Sequence, residues 1–169
     1  MSEAEEQEDR EILMEIKGLM IDPATNHPIV ILRDDEGDRF LPIWIGIFEA
    51  SAIQMRLESV QTERPMTHDL LGSVFSELGA EVRRIRVCDL RENTFFAEIE
   101  VETEHGEIVR IDSRPSDAMA LALRVGAPVW VKENVLERAR SSAQPAADEE
   151  KLREWFAGLD PDDLGKYTM

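Results

Sequence analysis

Ile111-Asp112-Ser113-Arg114-Pro115-Ser116-Asp117-Ala118-Met119-Ala120-Leu121-Ala122-Leu123-Arg124 carries two structural patterns end to end. It begins as the close of a strand, turns at Arg114-Pro115, and continues as a helix. Ala118 to Leu123 and Val125 leave that helix apolar all round, so 116–125 is expected to be covered on every side and central to the fold. Ser116 is the expected cap, and Gly126 the stop. Such a helix, entered from a strand, implies a sheet beneath it.

The residues before it supply that sheet. Segments 82–90, 94–103 and 107–112 alternate apolar and polar residues with period two, as successive strands do. Glu104-His105-Gly106 suits a three-residue hairpin loop with Gly106 in the left-handed region. Matching apolar faces sets the register. Val87 opposes Ala97, Ile85 opposes Ile99, Val101 opposes Val109, and Ile99 opposes Ile111. Arg86 then faces Glu98 and Arg84 faces Glu100, with Arg110 on the other flank of Glu100. The basic run Arg83-Arg84-Ile85-Arg86 is therefore read as neutralised cross-strand pairs and not as a nucleic-acid patch.

A second meander precedes this one. Segments 12–20, 27–32 and 40–45 read as strands, separated by turns at Pro23-Ala24-Thr25-Asn26 and Asp34-Asp35-Glu36-Gly37-Asp38. Pro42 marks an edge or a strand start. Segment 47–58 is a helix with two apolar stripes, Ala50/Ile53/Leu57 and Phe48/Ala52/Met55. Two stripes predict cover on more than one side, and so a homodimer burying part of Phe48 or Met55. Segment 68–78 is a helix with Thr67 as N-cap and a Met66/Leu71 staple; its inner face is Leu70, Leu71, Val74, Phe75 and Leu78, and Gly79 ends it. Downstream, 128–131 reads as a strand, 134–139 as a short helix and 148–157 as a charged helix.

The expected fold is α+β, with a mostly antiparallel mixed sheet from two three-stranded meanders, packed with three or more helices. The expected domain is 11–140. An acidic disordered tail, 1–10, precedes it; a linker, 141–147, and a short C-terminal helix and tail, 148–169, follow. A chain of 169 residues suits one such core.

The net charge of −17 limits function. Residues 1–10 (five acids, one base) and 141–169 (seven acids, three bases) contribute −4 each, which leaves −9 in the middle. Phosphate contacts need a basic footprint, so any nucleic-acid binding is expected to be weak, local and helped by a cation. One cysteine, Cys88, excludes an internal disulfide and suits a reducing compartment. No apolar run reaches the ~18 residues of a membrane span, and no secretory signal is visible at the start. A cytoplasmic setting is expected.

The polar residues that could carry chemistry sit at two helix starts. Arg64, His68 and Asp69 precede or open one helix; Asp112, Arg114 and Asp117 precede or open the other. Each has an ordinary structural role, because an acid in a first turn complements the helix dipole and an Asp–Arg pair can fasten strand to helix. Together they suit a phosphate, since helix N-termini present free N–H groups to its oxygens. Arg64 and Arg114 could clamp it, and Asp69, Asp112 or Asp117 could hold a divalent cation such as magnesium. His68 could move a proton. No glycine-rich phosphate loop, zinc spacing or serine elbow competes with this reading.

Four ordered motifs also resemble the bifunctional nuclease domain. They are Leu41-Pro42-Ile43-Trp44-Ile45-Gly46 with Glu49-Ala50; Arg64-Pro65-Met66-Thr67-His68-Asp69-Leu70; Ile111 to Ala118; and Ala120-Leu121-Ala122 with Pro128-Val129. The resemblance covers about residues 11–140 and implies an α+β domain acting as a nuclease on DNA and RNA. A non-catalytic regulatory or protein-interaction module is the alternative.

Overall fold

The computed structural model describes residues 10–36, 39–142 and 154. The acidic tail expected at 1–10, apart from Arg10, and nearly all of the linker and C-terminal segment lie outside these residues. Seven strands form one open sheet. They are β1 (Glu11–Ile21), β2 (Pro28–Asp34), β3 (Phe40–Trp44), β4 (Glu81–Arg91), β5 (Thr94–Glu102), β6 (Ile108–Ser113) and β7 (Val129–Lys132). Among the described residues there are four helices: α1 (Ile47–Leu57), α2 (Thr67–Glu77), α3 (Pro115–Val125) and α4 (Glu133–Ser142).

Strand order is β3-β2-β1-β7-β4-β5-β6. Each meander is antiparallel, and β7 joins the two by pairing antiparallel with β1 and parallel with β4. The α+β architecture expected from the sequence is the one observed. Every cross-strand pair expected in the second meander is present, from Val87–Ala97 to Ile99–Ile111, together with Arg86–Glu98 and Arg84–Glu100.

One face of the sheet is a continuous apolar surface. Met14, Leu32, Leu41, Ile85, Val87, Ala97, Ile99 and Val131 are all buried on it. Helix α3 crosses β4 and β5 there, flanked by α1 and α2, while α4 packs on β4 and β7. Ala118 to Leu121 are fully buried, so the all-apolar helix is central as expected. On the opposite face Arg84 and Arg86 bond Glu11 as well as Glu100 and Glu98. That network neutralises the basic run. None of the described helices is long and apolar enough to cross a membrane.

Helix ends depart from expectation in an informative way. α2 begins at Thr67 with Met66 as N-cap, and the Asp69 carboxylate, three residues on, accepts the Met66 N–H at 2.9 Å. Thr67 therefore does not cap the helix. In α3 the cap is Arg114, with Pro115 as the first helical residue in place of an expected Ser116 cap. Proline has no N–H to satisfy and a preset φ, so it starts a helix without a side-chain cap. The inner face expected for α2 is only partly inner: Leu71 and Phe75 pack on the core, whereas Leu70, Val74 and Leu78 are exposed. On α1, Ala50 and Ile53 are buried, Met55 is half-buried, and Phe48 is 85% exposed.

Candidate functional site

Helices α1, α2 and α3 bring their N-termini to one place. Each has an acid at the third helical position: Glu49 after the Gly46 cap, Asp69 after Met66, and Asp117 after Arg114. A carboxylate there faces the free N–H groups and the positive end of the helix dipole. Arg114 ties two of these starts together. Its guanidinium donates to Asp117 Oδ2 at 2.7–2.8 Å and to Glu49 Oε1 at 2.8 Å. The third start joins through His68, whose Nε2 lies 2.9 Å from the other Asp117 oxygen. The result is a continuous chain, His68–Asp117–Arg114–Glu49.

The chain is graded in exposure. The His68 side chain is 12% exposed and Glu49 17%, whereas Arg114 is 65% exposed. The guanidinium stands toward solvent while its partners sit below it. The two carboxylates hold the Arg114 charge firmly, raising its pKa from the usual guanidinium value. Gly46 leaves room for this arrangement: a Cβ there would run into the Glu49 carboxylate and make that flexible side chain shift.

Asp69 belongs to a different arrangement. Its second oxygen accepts from Arg124 Nε at 2.7 Å, and Arg124 also donates to the carbonyls of Ala120 and Ala52. Arg124 is 7% exposed and is the one charged residue of α3 beyond its first turn. Burial alone would raise the Asp69 pKa, but the Met66 N–H and Arg124 outweigh it and hold the carboxyl below its ordinary value. Asp69 and Arg124 thus pin α2 to α3 and α1, and so set where His68 stands.

The expected site residues therefore divide. His68, Arg114 and Asp117 are in direct contact. Asp69 adjoins them through the α2 start. Arg64 is exposed on the loop before α2, and its guanidinium has no ion-pair partner among the described residues. Asp112 is in register with Glu98 and so points from the sheet face opposite the helices. Only Ser113 separates it from Arg114 in sequence, but β6 ends at Ser113 and Arg114 is already the cap of α3, so the two side chains belong to different elements. Two residues were missed, Glu49 and Arg124. A signal for each existed: an acid three residues after a glycine at a helix start, and a lone arginine within an apolar helix.

Among the described residues no three His, Cys, Asp or Glu side chains come together as a ready metal site. As folded, the cluster also does not fit a divalent cation, because the Arg114 guanidinium already lies between Glu49 and Asp117. A separate groove of about 500 Å³, lined by Phe75, Val82, Arg83, Val125 and Pro128, lies at the other ends of α2 and α3. Helix C-termini carry the negative end of the dipole, which makes that groove the poorer place for an anion.

Comparison with known proteins agrees with this architecture. The family model of the bifunctional nuclease domain matches residues 30–144, which span β2 to α4 and include the whole cluster. An uncharacterized protein of Mycobacterium tuberculosis is 36% identical over 88% of this chain and 95% of its own length. Bifunctional nuclease 1 of Arabidopsis thaliana is 28% identical over 72% of this chain but 41% of its own length. Bifunctional nuclease 2 of the same plant is 27% identical, over 74% and 41%. With the match running from within β2 through the second meander and all three converging helices, the chain belongs to the bifunctional nuclease domain family.

Proposed function

We propose that the chain hydrolyses phosphodiester bonds of DNA or RNA at the junction of the three helix starts. The observation that carries this reading is the chain His68–Asp117–Arg114–Glu49 set on three convergent N-termini. Arg114, the most exposed member, is suited to pairing with a phosphate, and the free N–H groups around it favour the same anion. Arg64 supplies a second contact from its loop. His68, oriented by Asp117, takes a proton from water as the water oxygen attacks phosphorus. The bond from phosphorus to the leaving oxygen breaks, and that oxygen leaves with the proton. Asp69 acts through Arg124 and α2, as a positioning residue. Asp112 has no part in this scheme, and no step runs through a metal.

The acidic surface gives no long-range attraction for nucleic acid, so binding is weak and local. A cytoplasmic setting accords with the single cysteine. The second reading is a non-catalytic interaction module. It is favoured by the existing pairing of Glu49 and Asp117 with Arg114, and by exposed apolar residues such as Phe48 and Leu78.

The test is cleavage of single-stranded DNA and RNA by wild type, Arg114→Ala and Asp112→Ala, purified in parallel, with and without chelator. Parallel purification matters because a trace contaminant can mimic so slow a reaction. Arg114→Ala should weaken substrate binding at least tenfold, Asp112→Ala should match wild type, and chelator should change little. Cleavage lost in both chelator and Asp112→Ala would replace this scheme with a cation-assisted one. No cleavage by wild type under any of these conditions would favour the interaction module.

A further inference from the structure

The two edges of the sheet are not alike. β3 is five residues long and carries Pro42, which cannot donate to a further strand. β6, six residues long, has no such block. It contains no proline or lysine and pairs with β5 without a bulge. Every residue from Ile108 to Asp112 is exposed. Val109 and Ile111 belong to the apolar face, in register with buried Val101 and Ile99, yet remain 42% and 38% exposed. On the opposite face Arg110 shares Glu100 with Arg84, while Asp112 has no ion-pair partner among the described residues. A regular, exposed edge with unpaired N–H and C=O groups and apolar side chains is a template for another strand.

We propose that β6 pairs antiparallel with β6 of a second copy of the chain, about a twofold axis through Ile111. The outward-facing backbone groups and the charges beside them together select this register. At the hairpin, Thr103 N–H donates to Glu107 C=O. Alternation from that pair turns the backbone groups of Val109, Ile111 and Ser113 toward β5, and those of Ile108, Arg110 and Asp112 outward. Ile111 of each copy then forms a non-hydrogen-bonded pair on the axis. Arg110 and Asp112 exchange backbone hydrogen bonds with Asp112 and Arg110 of the second copy. The same register sets each Arg110 guanidinium opposite the other copy's unpartnered Asp112. An axis through Arg110 or Asp112 would instead oppose like charges, and one through Val109 would leave these charges unmatched.

The two apolar edges meet at Ile111, and the seven-stranded sheets become one. The two Arg114 side chains then lie about 20 Å apart along the shared edge, six residues at strand spacing. The inference stands independently of nuclease activity, because it uses only the edge strand.

The experiment is light scattering at micromolar concentration on the full chain and on charge-swapped variants, with oxidative cross-linking beside it. Wild type should have twice the 19.2 kDa chain mass. Arg110→Asp alone and Asp112→Arg alone should each weaken the dimer at least tenfold, and the two combined should restore it. Ile111→Cys should cross-link readily, because a non-hydrogen-bonded pair brings its Cα atoms to about 4.5 Å, within disulfide reach. Arg110→Cys and the wild type with its Cys88 are the controls that should not. A monomeric wild type, its edge left to residues 143–169 or to another protein, would overturn the proposal. So would a dimer that ignores the charge swaps and dissociates with Phe48→Glu.

Discussion

Arg124 and Asp69 hold the helix start on which His68 stands against its two neighbours. Arg124 spends its donors on Asp69 and on the carbonyls of Ala120 and Ala52, fastening three helices at one point. Replacing Asp69 by Asn leaves a nearly buried guanidinium without its anion, which should cost about 2 kcal/mol, at the low end for such losses because Asp69 is partly exposed. The pH dependence has a definite sign. The folded pKa of Asp69 is lowered, so its contribution is full above the ordinary value of 3.8 and is lost as pH falls through the depressed value. Urea midpoints measured from pH 6 to pH 3 should therefore separate wild type from Asp69→Asn at the upper end and converge toward the lower. A constant gap would mean that the charge of Asp69 is not what matters. Asp22 belongs to the same class: hydrogen bonds from Thr25, Ala24 and Trp44 lower its pKa to about 2.

Elements were legible where a single period governs them. The second meander came out in its true register because Val87, Ala97, Ile99, Val101 and Ile111 can share a face in only one alignment. The central place of α3 followed from the lack of any polar stripe. α2 was harder, because Leu70, Leu71, Val74, Phe75 and Leu78 form two adjoining stripes and only tertiary packing decides which is covered. The structure covers Leu71 and Phe75. Phe75→Ala should then destabilise by on the order of 2 kcal/mol, below the 3–5 of a fully buried aromatic. Val74→Ser should stay within about 0.5 kcal/mol, as exposed positions do. Denaturation midpoints that reversed this order would put the outer stripe of α2 in the core. The cluster was half legible for a related reason. His68, Arg114 and Asp117 sit at helix starts that motif reading finds, whereas the contact of Glu49 with Arg114 spans 65 residues and has no local signature. Asp112 is close to the cluster in sequence only: it stands in β6 opposite Glu98, whereas the chain has left the strand by Arg114.

On the scale of the whole molecule, charge works against the activity that the site suggests. A chain of −17 repels a polyanion at distance, and Arg84 and Arg86 on the sheet are already paired with glutamates. What is left for phosphate is local: an exposed Arg114, an exposed Arg64, and three helix N-termini whose dipoles add at one point. On the proposed reading the substrate is delivered at close range, and its affinity should respond little to salt beyond the one or two phosphates the site touches. The central claim is that His68, held by Asp117, moves the proton in phosphodiester cleavage. The most direct test compares wild type with His68→Ala, purified side by side and matched in thermal stability, by the rate of cleavage of a defined single-stranded oligonucleotide. The account predicts a fall of about 10²–10⁴ in rate with binding largely kept. Equal rates from the two proteins, or no cleavage by either, would contradict it.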